Sequence, residues 1–150
     1  MTNPCKCREA LRADLPEILR LYAQPDLDGD SVIPLAQAEK VLDRMGRYPD
    51  YRLYVAETGK RVVGAYTLAI LDNFCHRGEP HGVVEDVAVD PALHRGGIGK
   101  AMMEHAIGLC RQKGCYKLTL SSNLKREKAH AFYDALGFER HGYSFRTDLA

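Results

Sequence analysis

The chain has 150 residues, 45% hydrophobic and 27% charged, with a formal net charge of +1. That is the balance of one water-exposed domain over residues 1–150. No basic run supplies the stripe that nucleic acid demands, and no apolar stretch approaches the ~20 residues that span a bilayer.

The start of the chain, Met-Thr-Asn-Pro-Cys-Lys-Cys-Arg, lacks the apolar core of a signal peptide. The five cysteines, Cys5, Cys7, Cys75, Cys110 and Cys115, are an odd number. Cys5-x-Cys7 is too closely spaced for a zinc knuckle. Buried or free thiols, a cytoplasmic setting and no metal are therefore expected. Lys6 to Ala10 fits a first strand. Asp14, with Glu17 three residues on, opens a helix whose face is Leu15, Ile18, Leu19 and Tyr22. Asp26 to Asp30 is an acidic loop without the glutamate a calcium loop needs. A second helix runs from about Pro34 to Met45. Tyr51–Glu57 and Arg61–Leu71 are strands joined by the turn Thr58-Gly-Lys60, and Asp72–Pro80 is a polar loop.

A strand from about His81 to Asp90 leads into a glycine turn and then a helix over about Gly97–Lys113, whose packing face is Ile98, Met102, Ala106, Leu109 and Cys110. A strand-to-helix turn with Gly96, Gly97 and Gly99 lets backbone approach a ligand and aims free N–H groups at an anion. A P-loop would need glycine where His94 stands and Ser or Thr where Ala101 stands, and the dinucleotide fingerprint needs glycine at Met102. Both patterns fail. Tyr116–Ser121 is the next strand, Lys125–Leu136 a helix with Ala129, Phe132, Tyr133 and Leu136 on one face, and Phe138 with Tyr143–Asp148 a closing hairpin.

The turn His94-Arg95-Gly96-Gly97-Ile98-Gly99 resembles the coenzyme A motif of the GNAT acetyltransferase superfamily, Gln/Arg-x-x-Gly-x-Gly/Ala, with His94 where Gln or Arg is usual. A second segment, Asn123, Ala129, Phe132-Tyr133 and Leu136-Gly137-Phe138, is similar to that family's Asn, Ala, Phe-Tyr-x-x-x-Gly-Phe segment. The resemblance covers nearly the whole chain. It implies an α/β GNAT fold: a mixed, mostly antiparallel sheet with a splayed parallel pair at its centre, flanked by four helices.

It also implies acetyl-CoA as co-substrate and an amine as acceptor. The pantetheine arm would lie between residues 87–89 and 117–121, along the backbone of Val87, Ala88 and Val89. The pyrophosphate would take N–H groups from Arg95, Gly96, Gly97, Ile98, Gly99 and Lys100, with His94 at the variable position. Asn123 would hold the pantetheine or cysteamine end. Phe132 counts with the coenzyme residues, core packing being its other reading.

Glu85 is the candidate base, sharing strand parity with Val87 and Val89; its other reading is a surface carboxylate or a partner for Arg77. Asp86 falls on the opposite face by the same parity, and His81 is a reserve base. Tyr133 is the candidate acid for the leaving sulfur, or a core residue. The remaining histidines, His94, His105, His130 and His141, are expected on turns or helix surfaces. Glu85-Asp-Val-Ala-Val and Gly114-Cys-Tyr-Lys117 resemble glucosamine-6-phosphate N-acetyltransferases. Ser121-Ser-Asn-Leu-Lys-Arg126, Ala129-His130 and the terminal Phe145-Arg-Thr-Asp-Leu149 resemble aminoalkylphosphonate N-acetyltransferases. A small amine, phosphorylated or phosphono, is the expected acceptor, without nucleic acid or membrane as partner. A homodimer could form through the last strand. A protein acetyltransferase and a non-catalytic CoA-binding module are the alternatives.

Overall fold

The structure, a computed structural model, describes residues 4–150. In chain order its elements are β1 (Cys5–Glu9), α1 (Leu15–Tyr22), α2 (Leu35–Met45), β2 (Tyr51–Thr58), β3 (Arg61–Leu71), β4 (His81–Val89), α3 (Ile98–Gln112), β5 (Lys117–Leu120) and α4 (Glu127–Ala135). The described residues separate into two compact units, the first ending at residue 119 and the second covering 120–150. Among the described residues no helix is long and apolar enough to cross a membrane.

The first unit is built on a sheet whose strands lie in sequence order. Antiparallel ladders join β1 to β2, β2 to β3 and β3 to β4, whereas β4 and β5 run parallel. A parallel return needs a crossover, and α3 supplies it. The tight turn between β2 and β3 carries Gly59 at φ +62°. Every residue of β3 from Val62 to Leu68 is buried, as its apolar run predicts for a strand covered on both faces.

On one face, Leu15, Ile18 and Leu21 of α1 and Ala38 of α2 pack against Leu53, Val55, Ala65 and Ala88. The three-residue spacing in α1 makes that stripe, and Pro16 in the first turn removes no helix bond. Asp14 does not cap α1 as expected. Its carboxylate instead binds the Arg8 guanidinium at 2.8 and 3.0 Å and the Leu11 N–H at 2.7 Å. On the other face lies α3. Met102 and Ile98 stand so close to Gly64 that a Cβ there would come within 2.9 Å of the Met102 sulfur. His105 is turned inward, not to the helix surface: its Nδ1 shares a hydrogen bond of 2.6 Å with the buried Tyr66 hydroxyl.

In the second unit, α4 follows the turn at Asn123 and ends at Gly137, which takes φ +87°. The Gly137 and Phe138 N–H groups close the end by donating to Asp134 and Tyr133 carbonyls, both at 3.0 Å. Tyr133 packs its ring on Phe132 and Phe138, at centroid distances of 5.1 and 5.7 Å. The expected closing hairpin is not formed. Residues 138–150 carry neither strand nor helix, and Tyr143 and Phe145 stand 87% and 92% exposed. Alternation makes a segment fit to be a strand, but only a ladder partner makes it one.

Candidate functional site

Strand β4 changes face partway along. Thr67 pairs with Glu85 and Ala65 with Ala88, so Asp86 and Val87 together oppose the single residue Tyr66. Asp86 accommodates the extra residue at φ +53°, a β-bulge. Its effect is visible in two glycine and alanine neighbours. A Cβ on Gly82 would strike the Cys110 sulfur of α3, whereas Ala88 packs with α1 and α2. Plain alternation would put both on one face. Glu85, before the bulge, therefore faces α1 and α2, and Val87 and Val89, after it, face the other way. The expected shared parity of Glu85 with Val87 and Val89 is broken by the bulge.

Asp86 is not turned away from Glu85 either. Desolvation, then the neighbouring Asp28 carboxylate, holds the Asp86 carboxyl above the ordinary aspartate range. Burial raises the Tyr51 hydroxyl, a hydrogen bond with Thr67 opposes it, and the negative charges of Glu85 and Asp86 add to the rise; Tyr51 packs on the α1–α2 side. Two adjacent carboxylates thus share that face. The bulge is held from the same side: Thr67 Oγ1 donates to the Glu85 carbonyl at 3.1 Å and the Tyr22 hydroxyl to the Asp86 carbonyl at 2.8 Å.

Beyond the bulge, the Asp90 N–H donates to the Val63 carbonyl at 2.8 Å, and Ala88 is in register with Ala65. Ladder groups alternate sides along a strand, so Val87 and Val89 direct theirs away from β3. The Val89 carbonyl accepts from the Gln24 amide at 3.0 Å. Asp90 ends the strand as a buried carboxylate. It accepts from the Ala92 N–H at 3.0 Å and pairs with Arg61 at 3.0 Å and Arg20 at 3.3 Å. Burial works against its charge, but the Ala92 N–H and the two guanidiniums outweigh burial and hold it below the usual range.

The turn that follows places Arg95 at φ +70° and Gly97 at φ +78°. A Cβ on Gly96 would lie 2.9 Å from the Leu93 carbonyl oxygen, whereas one on Gly97 would meet nothing within 4 Å. Gly97 is the N-cap of α3 and brings no capping side chain. The N–H groups of Ile98, Gly99 and Lys100 have no carbonyl one turn back inside the helix. They stay available to an anion beside the positive end of a 15-residue helix. His94, Arg95, Gly96, Gly97 and Lys100 are exposed, and Ile98 is buried as the first anchor of the helix.

In the second unit, the Asn123 Oδ1 accepts from the Lys125 N–H at 2.9 Å, and the Asn123 carbonyl accepts from the His130 Nε2 at 2.8 Å and the Arg126 N–H at 2.9 Å. The turn is therefore fixed by α4 itself. Because a carbonyl only accepts, Nε2 of His130 carries the proton. Burial raises the Tyr133 hydroxyl, with Arg126 pulling weakly the other way, so it keeps its proton at neutral pH.

Glu85, Val87, Ala88, Val89 and residues 94–100 thus lie along one continuous strand, turn and helix of the first unit, while Asn123, Phe132 and Tyr133 belong to the second. His81 sits at the start of β4, roughly 13 Å of strand from Glu85. Its Nδ1 is buried without a partner. Sequence reasoning missed Tyr22, Gln24, Thr67 and Asp90. Only Asp90 carried a local signal, a carboxylate before Pro91 at a strand end, which favours a turn.

A family model described as "Acetyltransferase (GNAT) family" matches residues 14–138. The chain is 42% identical over 89 residues to a glucosamine 6-phosphate N-acetyltransferase of Trypanosoma brucei brucei, covering 59% of this chain and 58% of that one. It is 31% identical over 106 residues to the ribosomal protein bS18-alanine N-acetyltransferase of Escherichia coli K12, covering 68% and 65%. In both cases the match spans less than two thirds of the relative's length. The crystal structure of a Trypanosoma brucei acetyltransferase superposes with a TM-score of 0.78 at 31% identity, over 97% of this chain and 100% of that one. The family match runs unbroken from α1 through the bulged strand and the glycine turn to Phe138, and the chain belongs to the GNAT acetyltransferase family.

Proposed function

We propose that the chain, acting as one domain over residues 1–150, transfers the acetyl group of acetyl-CoA to the primary amine of a small acceptor. The observation that carries this reading is the single run from bulge to helix. It sets two carboxylates on the α1–α2 face at residues 85–86 and an open, N–H-lined turn at 95–100. The turn suits a pyrophosphate: the space beside Gly97 is open, and the helix end favours negative charge. Val87, Ala88 and Val89 supply the backbone for the pantetheine arm, and Asn123 and Phe132 its far end, with His94 beside the phosphates.

The neutral amine attacks the thioester carbonyl carbon, and the C–S bond breaks. Glu85 takes the amine proton, directly or through water. Asp86 adds negative charge on the same face and draws the acceptor's ammonium toward it. Tyr133, protonated at neutral pH, donates to the departing thiolate. A thioester is already activated, so the chemistry asks for a base, an acid and alignment.

Tyr133→Phe is expected to lower kcat about 10²-fold with little change in the KM for acetyl-CoA. Wild-type turnover in that variant would remove the acid role. Glu85→Gln should lower kcat by a similar factor and Asp86→Asn by less, mainly through acceptor KM. The reverse order would assign the base to Asp86.

The acceptor is a small phosphorylated or phosphono amine in this reading, supported by the named substrate of the Trypanosoma relative. His76, Arg77, Lys125 and Arg126 are exposed side chains suited to such an anion. The Escherichia relative favours a second reading, an N-terminal alanine of a protein. Thiol release from acetyl-CoA with glucosamine 6-phosphate, an aminoalkylphosphonate, a lysine peptide and an alanine-ended peptide separates these. Release with none of them, alongside tight CoA binding, would indicate a non-catalytic CoA module. A cytoplasmic setting and a homodimer belong to the same reading. The first is supported by five unpaired cysteines, the second by the one-sided ladder of β5 at the end of the sheet.

A further inference from the structure

Past the bulge, β4 runs on without a neighbour on one side. The Tyr116 N–H donates to the Pro80 carbonyl at 3.0 Å, one residue before β5 and β4 begin. β5 has four residues and β4 nine, so at equal rise per residue β5 is spent before Asp86. Among the described residues no strand follows β5 in the sheet. The backbone groups that Val87 and Val89 turn away from β3 therefore have no ladder partner there. Such groups need another partner or water, and without a neighbouring strand nothing in the sheet fixes their path.

The end of α1 takes over that task. The Tyr22 hydroxyl donates to the Asp86 carbonyl at 2.8 Å, and the Gln24 amide to the Val89 carbonyl at 3.0 Å. These two bonds hold β4 on either side of Val87 and Ala88. The same Gln24 nitrogen donates to the Leu21 carbonyl at 2.8 Å, one of those that the end of a helix leaves unpaired. Both partners are carbonyls, which only accept, so the orientation of the amide is fixed. The residues behind are folded back on themselves. The Asp28 N–H donates to the Tyr22 carbonyl at 3.0 Å, and the Leu27 and Gly29 N–H groups donate to the Gln24 carbonyl at 2.9 and 3.1 Å. Leu27 packs against the core. The hold on β4 thus comes from an ordered turn.

We propose that Tyr22 and Gln24 are positioning residues for the coenzyme. They set β4 in advance on the path that the pantetheine arm follows, and they leave the Val87 and Val89 N–H groups facing that arm. This rests on the reading that the arm lies along residues 87–89. Order fixed before binding is not lost again when the ligand arrives, so it appears as affinity for the arm. The turn at 94–100 has separate support, through Asp90 and its arginines. Tyr22 and Gln24 therefore act on the arm and not on the phosphates.

Isothermal titration of the full chain with CoA, and with 3′-phospho-ADP, which is the coenzyme without its pantetheine arm, tests this. Gln24→Met keeps the volume of the side chain and loses its N–H donors. It should weaken CoA about ten-fold and change 3′-phospho-ADP by less than about two-fold. Tyr22→Phe, which lacks only the hydroxyl, should show the same selectivity with a loss of about five-fold for CoA. Wild-type CoA affinity in both variants overturns the proposal and leaves the pantetheine reading standing. An equal loss for both ligands also overturns it, since that marks damage to the fold and not to the path of β4. A wild-type chain that binds CoA no more tightly than 3′-phospho-ADP overturns the pantetheine reading, and the positioning role with it.

Discussion

Asp90 is the residue on which the geometry of the turn depends. Its side chain is 5% exposed and ties the Ala92 N–H to two arginines from α1 and β3. Arg20 and Arg61 are themselves 40% and 62% exposed, so water can take them back. The loss on truncation is chiefly that of charge-assisted bonds to a buried acceptor. Asp90→Ala should cost about 2–3 kcal/mol of unfolding free energy, read from urea titrations, and Asp90→Asn less, because an amide oxygen still accepts from Ala92. Neither arginine is near Asp90 in sequence, which is why only the Asp-Pro pair hinted at the role. His130 makes the same point in the second unit. Its Nε2 pins the Asn123 carbonyl at 2.8 Å, seven residues away, where composition suggested a surface histidine. His130→Phe should raise the KM for acetyl-CoA several-fold with kcat nearly unchanged. A lowered kcat at unchanged KM would place His130 in the chemistry instead.

At the scale of elements, the helices and strands that bury a periodic stripe were legible. Leu15 and Ile18, the apolar run of β3, and Ile98 to Cys110 in α3 all lie where spacing put them. The glycine turn between β4 and α3 was legible too, because Gly96, Gly97 and Gly99 lie close together between a strand pattern and a helix pattern. The bulge was not. It depends on Asp86 adopting φ +53°, held by Tyr22 and Thr67 from other elements, and a two-residue period has no means of announcing an inserted residue. That one insertion moved Glu85 and Asp86 onto the same face.

The turn's glycines now separate by mechanism. Gly96→Ala should impair acetyl-CoA binding strongly, since its Cβ would sit 2.9 Å from a backbone oxygen. Gly97→Ala has room and pays only for its left-handed backbone, about 1 kcal/mol. Isothermal titration with CoA on both variants checks the order, and equal losses would mean that the close contact of Gly96 with the Leu93 carbonyl does not govern the turn. Gly82→Ala, far from the turn, should instead destabilise the fold by about 1–3 kcal/mol through overpacking on Cys110 and Leu118.

For the molecule as a whole, the response to acid follows from two carboxylates in the first unit. The Arg8 hydrogen bonds, against some desolvation, hold Asp14 below its ordinary range, with the Leu11 N–H helping. Arg8 reaches on to Glu57 at 3.1 Å, tying β1, β2 and the entry to α1 into one network. Asp90 is depressed by its own partners at the other end of α1. A carboxyl depressed in the folded state gives stability that is fully present above the unfolded value of about 3.9. That stability is lost as pH falls through the lower folded value. The urea midpoint should therefore change little between pH 7 and 5 on account of these two groups and decline steeply below about pH 4. Asp14→Asn/Asp90→Asn should start lower at pH 7 and decline less toward pH 3, so that the two curves converge. Parallel curves across that window would show that these carboxylates do not govern acid unfolding. Guanidinium groups keep their charge across this window, so the convergence reports the carboxylates alone.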